Sequence, residues 1–398
     1  MRAGATLRRS DRLFIGLLVA IPATVAASRL GAPAALQFFL SVVAVVPLAG
    51  LIGSATEELT ARLGGRAGGL LNATFGNAPD LLIGVFGVQR GLIPLVKATL
   101  VGALMSNSAL IIGLCAVAAG VVHRRPRFDR REAGHHGILM LLTVAAILFP
   151  TVAASVLCAS GSCAPAARAP LQSVSVGIAV ILLLAYGAYV VFGIFGIEGR
   201  RRTVPDEAGR SSRGGRETAA MSERAHAERG RNWPTWLSLL VLALTTVALV
   251  PVVDVLTGTV EEVTAVLGWS DLFVGIVIVA NAGNVAEGYA AIRLAIQRPG
   301  APSAAEESGL DLSISIASAS SIQIATFVLP LVVLYSLFVH PMTLVFGGVE
   351  VAILALLVLV FIAIAQDGES NWLEGTQLLV LYAMSAVIFF ALPSGTFS

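Results

Sequence analysis

The chain has 398 residues, 56 % hydrophobic and only 13 % charged, with a mean hydropathy of +0.86 and a net charge of +2. A soluble globular protein keeps roughly a quarter of its residues charged to solvate its surface, so this composition excludes a soluble domain and makes lipid the main solvent. The small positive charge sits in loops, which excludes nucleic acid as a partner, since that calls for a basic face on a folded domain.

A bilayer core takes about 20 mostly apolar residues per helix. On that measure the sequence predicts eleven spans, near residues 12–29, 35–60, 68–89, 93–121, 137–157, 173–196, 235–256, 271–297, 310–339, 342–365 and 373–393. Arg2, Arg8, Arg9 and Arg12 before the first run imitate a signal peptide, but the many runs that follow make it a first spanning helix. The expected fold class is therefore an all-α integral membrane protein.

In chain order, the second span ends on Glu57-Glu58, and the third carries Gly76-Asn77-Ala78-Pro79-Asp80. The fourth holds Ser106-Asn107-Ser108 and is followed by Arg124, Arg125, Arg127, Arg130 and Arg131. After the fifth comes a short connection with Cys158 and Cys163, where a disulfide and two free thiols both remain open. After the sixth, residues 198–232 contain nine arginines and six acids with almost no large apolar side chain, so this stretch packs no core. Lys and Arg concentrate in cytoplasmic loops, which puts both Arg-rich loops and the N-terminus in the cytoplasm and the C-terminus outside. Trp233, Trp236, Trp269 and Trp372 fall at predicted helix ends, as interfacial anchors do.

Beyond the linker the polar pattern returns. Glu261-Glu262 ends the seventh span, Gly283-Asn284-Val285-Ala286-Glu287 lies in the eighth, and Ser318-Ala319-Ser320-Ser321-Ile322-Gln323 lies in the ninth. Three features recurring in one order within apolar sequence make an internal repeat. The expected organisation is 1–33 as N-terminus and first helix, 34–197 as first repeat, 198–232 as charged cytoplasmic linker and 233–398 as second repeat. Five spans per unit make the second copy enter the membrane in the opposite direction, an inverted repeat of the kind that places transporter sites at the midplane.

A carboxylate within a span costs at least ~2.5–3.5 kcal/mol on insertion scales, so Asp80 and Glu287 are expected to face a polar cavity or a partner. Gly76 and Pro79 are expected to break the helix just before Asp80 and free backbone oxygens, and Gly283 permits a similar break, although Ala286 replaces the proline there. Those oxygens, the side chains of Asn77 and Asn284 and the two acids form an all-oxygen set that suits calcium or another hard cation. Ser106, Asn107, Ser320, Ser321 and Gln323 are candidates to complete it, with bonding between helices as the alternative. Two carboxylates are neutralised equally by one divalent cation or by two protons, and a site emptied of both would carry two bare charges through lipid, so transport becomes coupled. Glu57 and Glu261, nearer the membrane faces, are candidates for proton passage or ion access alongside Asp80 and Glu287.

These stretches resemble a known family. The run from Thr56-Glu57 through Gly68-Gly69-Leu70-Leu71-Asn72-Ala73-Thr74-Phe75-Gly76-Asn77-Ala78 to Leu110 is similar to the first signature repeat of the cation/proton exchanger branch of the calcium/cation antiporter superfamily. Gly283-Asn284 to Glu287 and Ser320-Ser321-Ile322-Gln323-Ile324-Ala325 resemble the second, and Asp367-Gly368-Glu369-Ser370-Asn371-Trp372-Leu373-Glu374-Gly375 is similar to the family's final loop and span. The resemblance implies eleven helices in two inverted five-helix halves after an extra first helix, and calcium moved against protons with the acids after each Gly-Asn binding the cation. Paired acids can also be catalytic, but an intramembrane enzyme needs a nucleophile or a metal-ligating histidine at depth, and His123, His135, His136, His226 and His340 all fall in predicted loops or at span ends, so neither an enzyme nor a cofactor is expected.

Three departures bear on the ion. The first acid is Asp80 where the family usually has glutamate, Gly288 stands where histidine usually follows the second acid, and the connection after span eight is lengthened around Gly300, Pro302, Glu306 and Glu307. An antiporter for sodium, manganese or another cation therefore stands as an alternative, with a passive channel behind it. With no long organelle-targeting segment visible, a bacterial inner membrane is the simplest location.

Overall fold

The computed structural model describes residues 16–123, 126–157, 165–195, 233–296 and 309–392. The linker 198–232, Cys158, Cys163 and the stretch from Gly300 to Glu307 lie outside the described residues. The described residues are helical almost throughout, with one isolated β-bridge between Arg127 and Glu369.

The helices are α1 (Ala20–Arg29), α2 (Ala34–Phe75), α3 (Ala78–Gln89), α4 (Ile93–His123), α5 (Arg130–Leu157), α6 (Pro165–Phe195), α7 (Thr235–Leu267), α8 (Asp271–Ala295), α9 (Gly309–Ser336), α10 (Gly348–Ile364) and α11 (Trp372–Ala391). Eight of the described helices are long and apolar enough to cross a membrane, and α3 and α10 are shorter apolar helices. Trp236 and Trp372 stand exposed at the starts of α7 and α11, and Trp269 lies in the turn between α7 and α8.

The second and third predicted spans meet differently from the expectation. The sequence predicts separate spans near 35–60 and 68–89, yet α2 runs unbroken through 61–67 to Phe75, and the chain breaks only at Gly76-Asn77. The glycines of this stretch each cost a helix about 1 kcal/mol relative to alanine without forbidding it. Proline inside a helix loses a hydrogen bond and clashes with the preceding turn. Pro79 therefore sits in the first turn of α3, where its missing N–H is harmless.

Helices α2 and α7 pack along each other around Phe38, Leu48, Ile52, Leu249, Val252 and Leu256. The other core joins α4, α5, α8, α9, α10 and α11. Helix α4 is its centre, buried over 83 % of its most apolar window, against 28 % for α6 and α11. The outer helices expose Ile181, Leu184, Leu244, Val247 and Val387, an apolar surface that belongs in lipid. Close crossings depend on glycine. A Cβ on Gly102 of α4 would stand 2.4 Å from Ile276 Cα, so α4 and α8 meet backbone to backbone.

Polar side chains tie down the extended connection between α9 and α10. Ser175 Oγ accepts from Leu344 N at 2.9 Å, Thr151 Oγ1 accepts from Phe346 N at 3.0 Å, and Lys97 Nζ donates to the Val345 carbonyl at 2.7 Å. Backbone groups that no helix ladder satisfies thus find partners on α4, α5 and α6.

Candidate ion site

The site begins where the chain breaks. Asn77 is the N-cap of α3, but its side chain makes no cap bond. Its Nδ2 instead donates to Gln323 Oε1 of α9 at 2.7 Å, which joins the two halves of the sequence. Asp80 follows in the first turn of α3, 3 % exposed, where the unpaired N–H groups of a helix start favour negative charge.

Helix α8 brings the second acid. Its π-turn at Val274–Val279 precedes the Gly-Asn motif, and the α-helix then runs uninterrupted from Ala280 to Ala295. The expected break at Gly283 is absent, because Ala286 stands where the first copy has proline. Gly283 has another use: a Cβ there would lie 3.2 Å from Asp80 Oδ1 and 3.8 Å from Pro79 Cβ. The bare backbone of the second motif thus lies against the acid of the first. Glu287 lies near enough to Asp80 for their charges to interact, and the Ser320 hydroxyl lies beside the Glu287 carboxyl.

Around the acids runs a set of amides and hydroxyls. Asn107 Nδ2 donates to Ser320 Oγ at 3.0 Å, and Ser106 Oγ donates to Asn281 Oδ1 at 2.7 Å. Asn281 Nδ2 donates in turn to the Val277 carbonyl at 2.7 Å and Tyr382 Oη at 2.6 Å. Asn284 Nδ2 reaches the Ala103 carbonyl at 3.5 Å. Asn107 lies in the π-turn Ser106–Ile111 of α4, and Gln323 directly precedes the π-turn Ile324–Val328 of α9. Such turns often occur at functional sites.

In both Asn77 and Asn107 the amide N–H is spent on protein and the oxygen is not. Asn77 Oδ1, Asp80 Oδ1, Asn107 Oδ1 and Glu287 Oε2 are all buried and make no hydrogen bond to protein. A buried polar atom without a partner costs about 1–3 kcal/mol, and more when charged. Protons or a cation would satisfy these oxygens, and oxygen ligands select hard ions. A cavity of about 210 Å³ lined by Glu287, Ser315, Ile316, Ala319, Ser320 and Gln323 adjoins Glu287. That is room for several waters, since a single water needs roughly 10–15 Å³ of space for its centre. Among the described residues no three His, Cys, Asp or Glu side chains gather as a metal cluster, so an ion here would take two carboxylates and neutral oxygens.

The expected residues fall into three groups. Asp80, Asn77, Glu287, Ser320 and Gln323 converge, while Ser106 and Asn284 support from the α4–α8 contact. Glu57 is half-buried on α2, and Glu261 is exposed on α7, each on the long helix that precedes its motif. Asn281 and Tyr382 were missed. Asn281 was legible as an amide three residues before Asn284, on one helix face, but Tyr382 reads as any aromatic in an apolar run.

The sequence model of the sodium/calcium exchanger protein family matches residues 33–195 and 237–391. The chain is 33 % identical to the Ca(2+)/H(+) antiporter ChaA of Bacillus subtilis over 385 residues, covering 96 % of this chain and all of that one. It is 34 % identical over 392 residues to a Ca(2+)/H(+) antiporter of Synechocystis, covering 96 % and 98 %. Among solved structures, native YfkE superposes with a TM-score of 0.75 at 32 % identity, covering 95 % of this chain and all of that one. The H+/Ca2+ exchanger CAX shares the fold at a TM-score of 0.64 and 15 % identity, covering 96 % and 93 %.

Proposed function

Since this chain belongs to the sodium/calcium exchanger family, in its calcium/proton exchanger branch, we propose that it exchanges calcium for protons across its membrane by alternating access at a site shared by Asp80 and Glu287. The observation that carries this reading is the contact of Gly283 with Asp80, which brings the acid-bearing segments of the two halves together. The substrates are calcium and protons, the solvent is the bilayer, and no bond-making chemistry is involved.

The cycle follows from charge. With calcium bound, the carboxylates of Asp80 and Glu287 are neutralised together, and with two protons they are neutralised singly. Either form crosses between the two faces at far lower cost than two bare carboxylates. Asn77 and Asn107, held by Gln323 and Ser320, keep their oxygens turned to the ion without spending its binding energy on ordering them. The cavity beside Glu287 supplies the water through which calcium is rehydrated.

The family match in two blocks, 33–195 and 237–391, supports two repeats around a linker at 198–232. On this reading α1 to α11 are eleven spans, with α1 outside the repeats. The N-terminus is cytoplasmic and the C-terminus outside, in a bacterial inner membrane. Glu57 and Glu261 serve ion access from the two long helices.

Transport in proteoliposomes with an imposed pH gradient tests this function. Calcium uptake that collapses with a proton ionophore is the expected result. Uptake driven only by a sodium gradient would assign another antiporter, and flux that needs no counter-ion would assign a channel.

A further inference from the structure

Behind the ion site, on α4, α5, α9 and α10, lies a second, much smaller cavity. It leaves about 10 Å³ for the centre of a water molecule, close to the roughly 10–15 Å³ that a single water needs. Most of its wall is apolar, with Leu104, Val144, Leu354 and Val358 among the lining residues. Three hydroxyls interrupt that wall: Ser108, Thr143 and Ser321, exposed by 1 %, 4 % and 2 %.

The hydrogen bonds of these hydroxyls do not balance within the protein. Thr143 Oγ1 donates to the Leu139 carbonyl at 3.1 Å, which leaves its lone pairs free. Ser108 Oγ donates to Met140 Sδ at 3.8 Å, which likewise leaves it an acceptor. Ser321 Oγ is buried and makes no hydrogen bond to protein. The set therefore offers one donor and two acceptors around a space of one-water size. A water that accepts from Ser321 and donates to Thr143 and Ser108 makes three bonds, the usual number for a buried water.

We infer that this cavity is a binding site for a single structural water that bridges α4, α5 and α9 behind the ion site. The cavity holds no charged side chain among its lining residues and is too small for a cation with the 6–8 oxygens of calcium, so its ligand is neutral water. Its consequence reaches the site through backbone neighbours. Ser321 follows Ser320, and Ser108 follows Asn107, so the water holds from behind the two helices whose Asn107–Ser320 bond lines the ion site. It positions those residues and touches neither carboxylate.

The inference makes Ser321 and Thr143 energetically coupled although no direct bond joins them. In the full-length protein, Ser321→Ala and Thr143→Val are each expected to lower Tm by about 1–3 °C, with the double variant losing clearly less than the sum. A high-resolution map is expected to show one solvent peak within hydrogen-bonding distance of all three hydroxyls. Additive losses, or a Ser321→Ala variant as stable as or more stable than the parent, would mean a dry void and overturn the site. So would a map that resolves other buried waters but no peak there.

Discussion

Gly283 of the second Gly-Asn motif lies directly against Asp80 of the first, with room for a Cβ only 3.2 Å from Asp80 Oδ1. Some two hundred residues of chain separate them, and the fold brings the backbone of one repeat onto the acid of the other. A methyl group at this position forces Asp80 to give by a few tenths of an ångström. Gly283→Ala is accordingly expected to fold and to weaken calcium binding about tenfold, a loss near 1.4 kcal/mol. Isothermal titration of the purified protein measures it, and unchanged affinity would mean that Asp80 is not held at the ion.

Removing either negative charge should stop exchange. Asp80→Asn or Glu287→Gln leaves one carboxylate against a divalent ion in a buried site, a loss of about 3 kcal/mol or more, or at least about a hundredfold in transport. Full calcium/proton exchange by both variants in proteoliposomes, at normal expression, would remove the site.

The pH dependence has a definite sign. Protons and calcium compete for the same oxygens, so calcium affinity rises with pH and falls as the carboxylates protonate. Where two protons leave for each calcium, the apparent Kd changes about a hundredfold per pH unit, and where one leaves, about tenfold. Calcium titrations at several pH values read the slope directly, and a flat profile would separate the proton from the calcium site.

Gln323 acts through Asn77. Its carbonyl oxygen accepts the Asn77 amide at 2.7 Å, and Gln323→Leu strands that amide in a buried place at a cost of about 1–3 kcal/mol. Calcium affinity is expected to fall several-fold or more, while Gln323→Glu, which keeps an acceptor, retains more of it. Comparing the two variants by calcium titration separates the bond from the bulk of the side chain.

Gly102 tests the frame rather than the ion. A Cβ there meets Ile276 Cα at 2.4 Å and the Ile276 carbonyl at 2.7 Å, and neither backbone atom can rotate away. Gly102→Ala is expected to destabilise the protein by about 1–3 kcal/mol as an overpacked contact, seen as a lower Tm in detergent. An unchanged Tm would show that α4 and α8 separate easily.

Much of this protein is written locally. Apolar runs of bilayer length mark the helices because no other structure buries so many uncharged residues and still satisfies their backbone in lipid. Asp80 and Glu287 stand out because a carboxylate in such a run is costly enough to demand a purpose. What local sequence does not carry is the partner of each group. The spans expected at 35–60 and 68–89 join through 61–67 because glycine weakens a helix without ending it, and the break expected at Gly283 is absent because Ala286 stands where the first copy has proline. That Asn77 bonds Gln323, that Ser106 bonds Asn281 rather than an acid, and that Tyr382 closes the chain were decided by tertiary packing. Hydrogen bonds of about 3 Å between residues far apart in the chain depend on how whole helices cross, and helix crossings are set by the sum of many side-chain contacts.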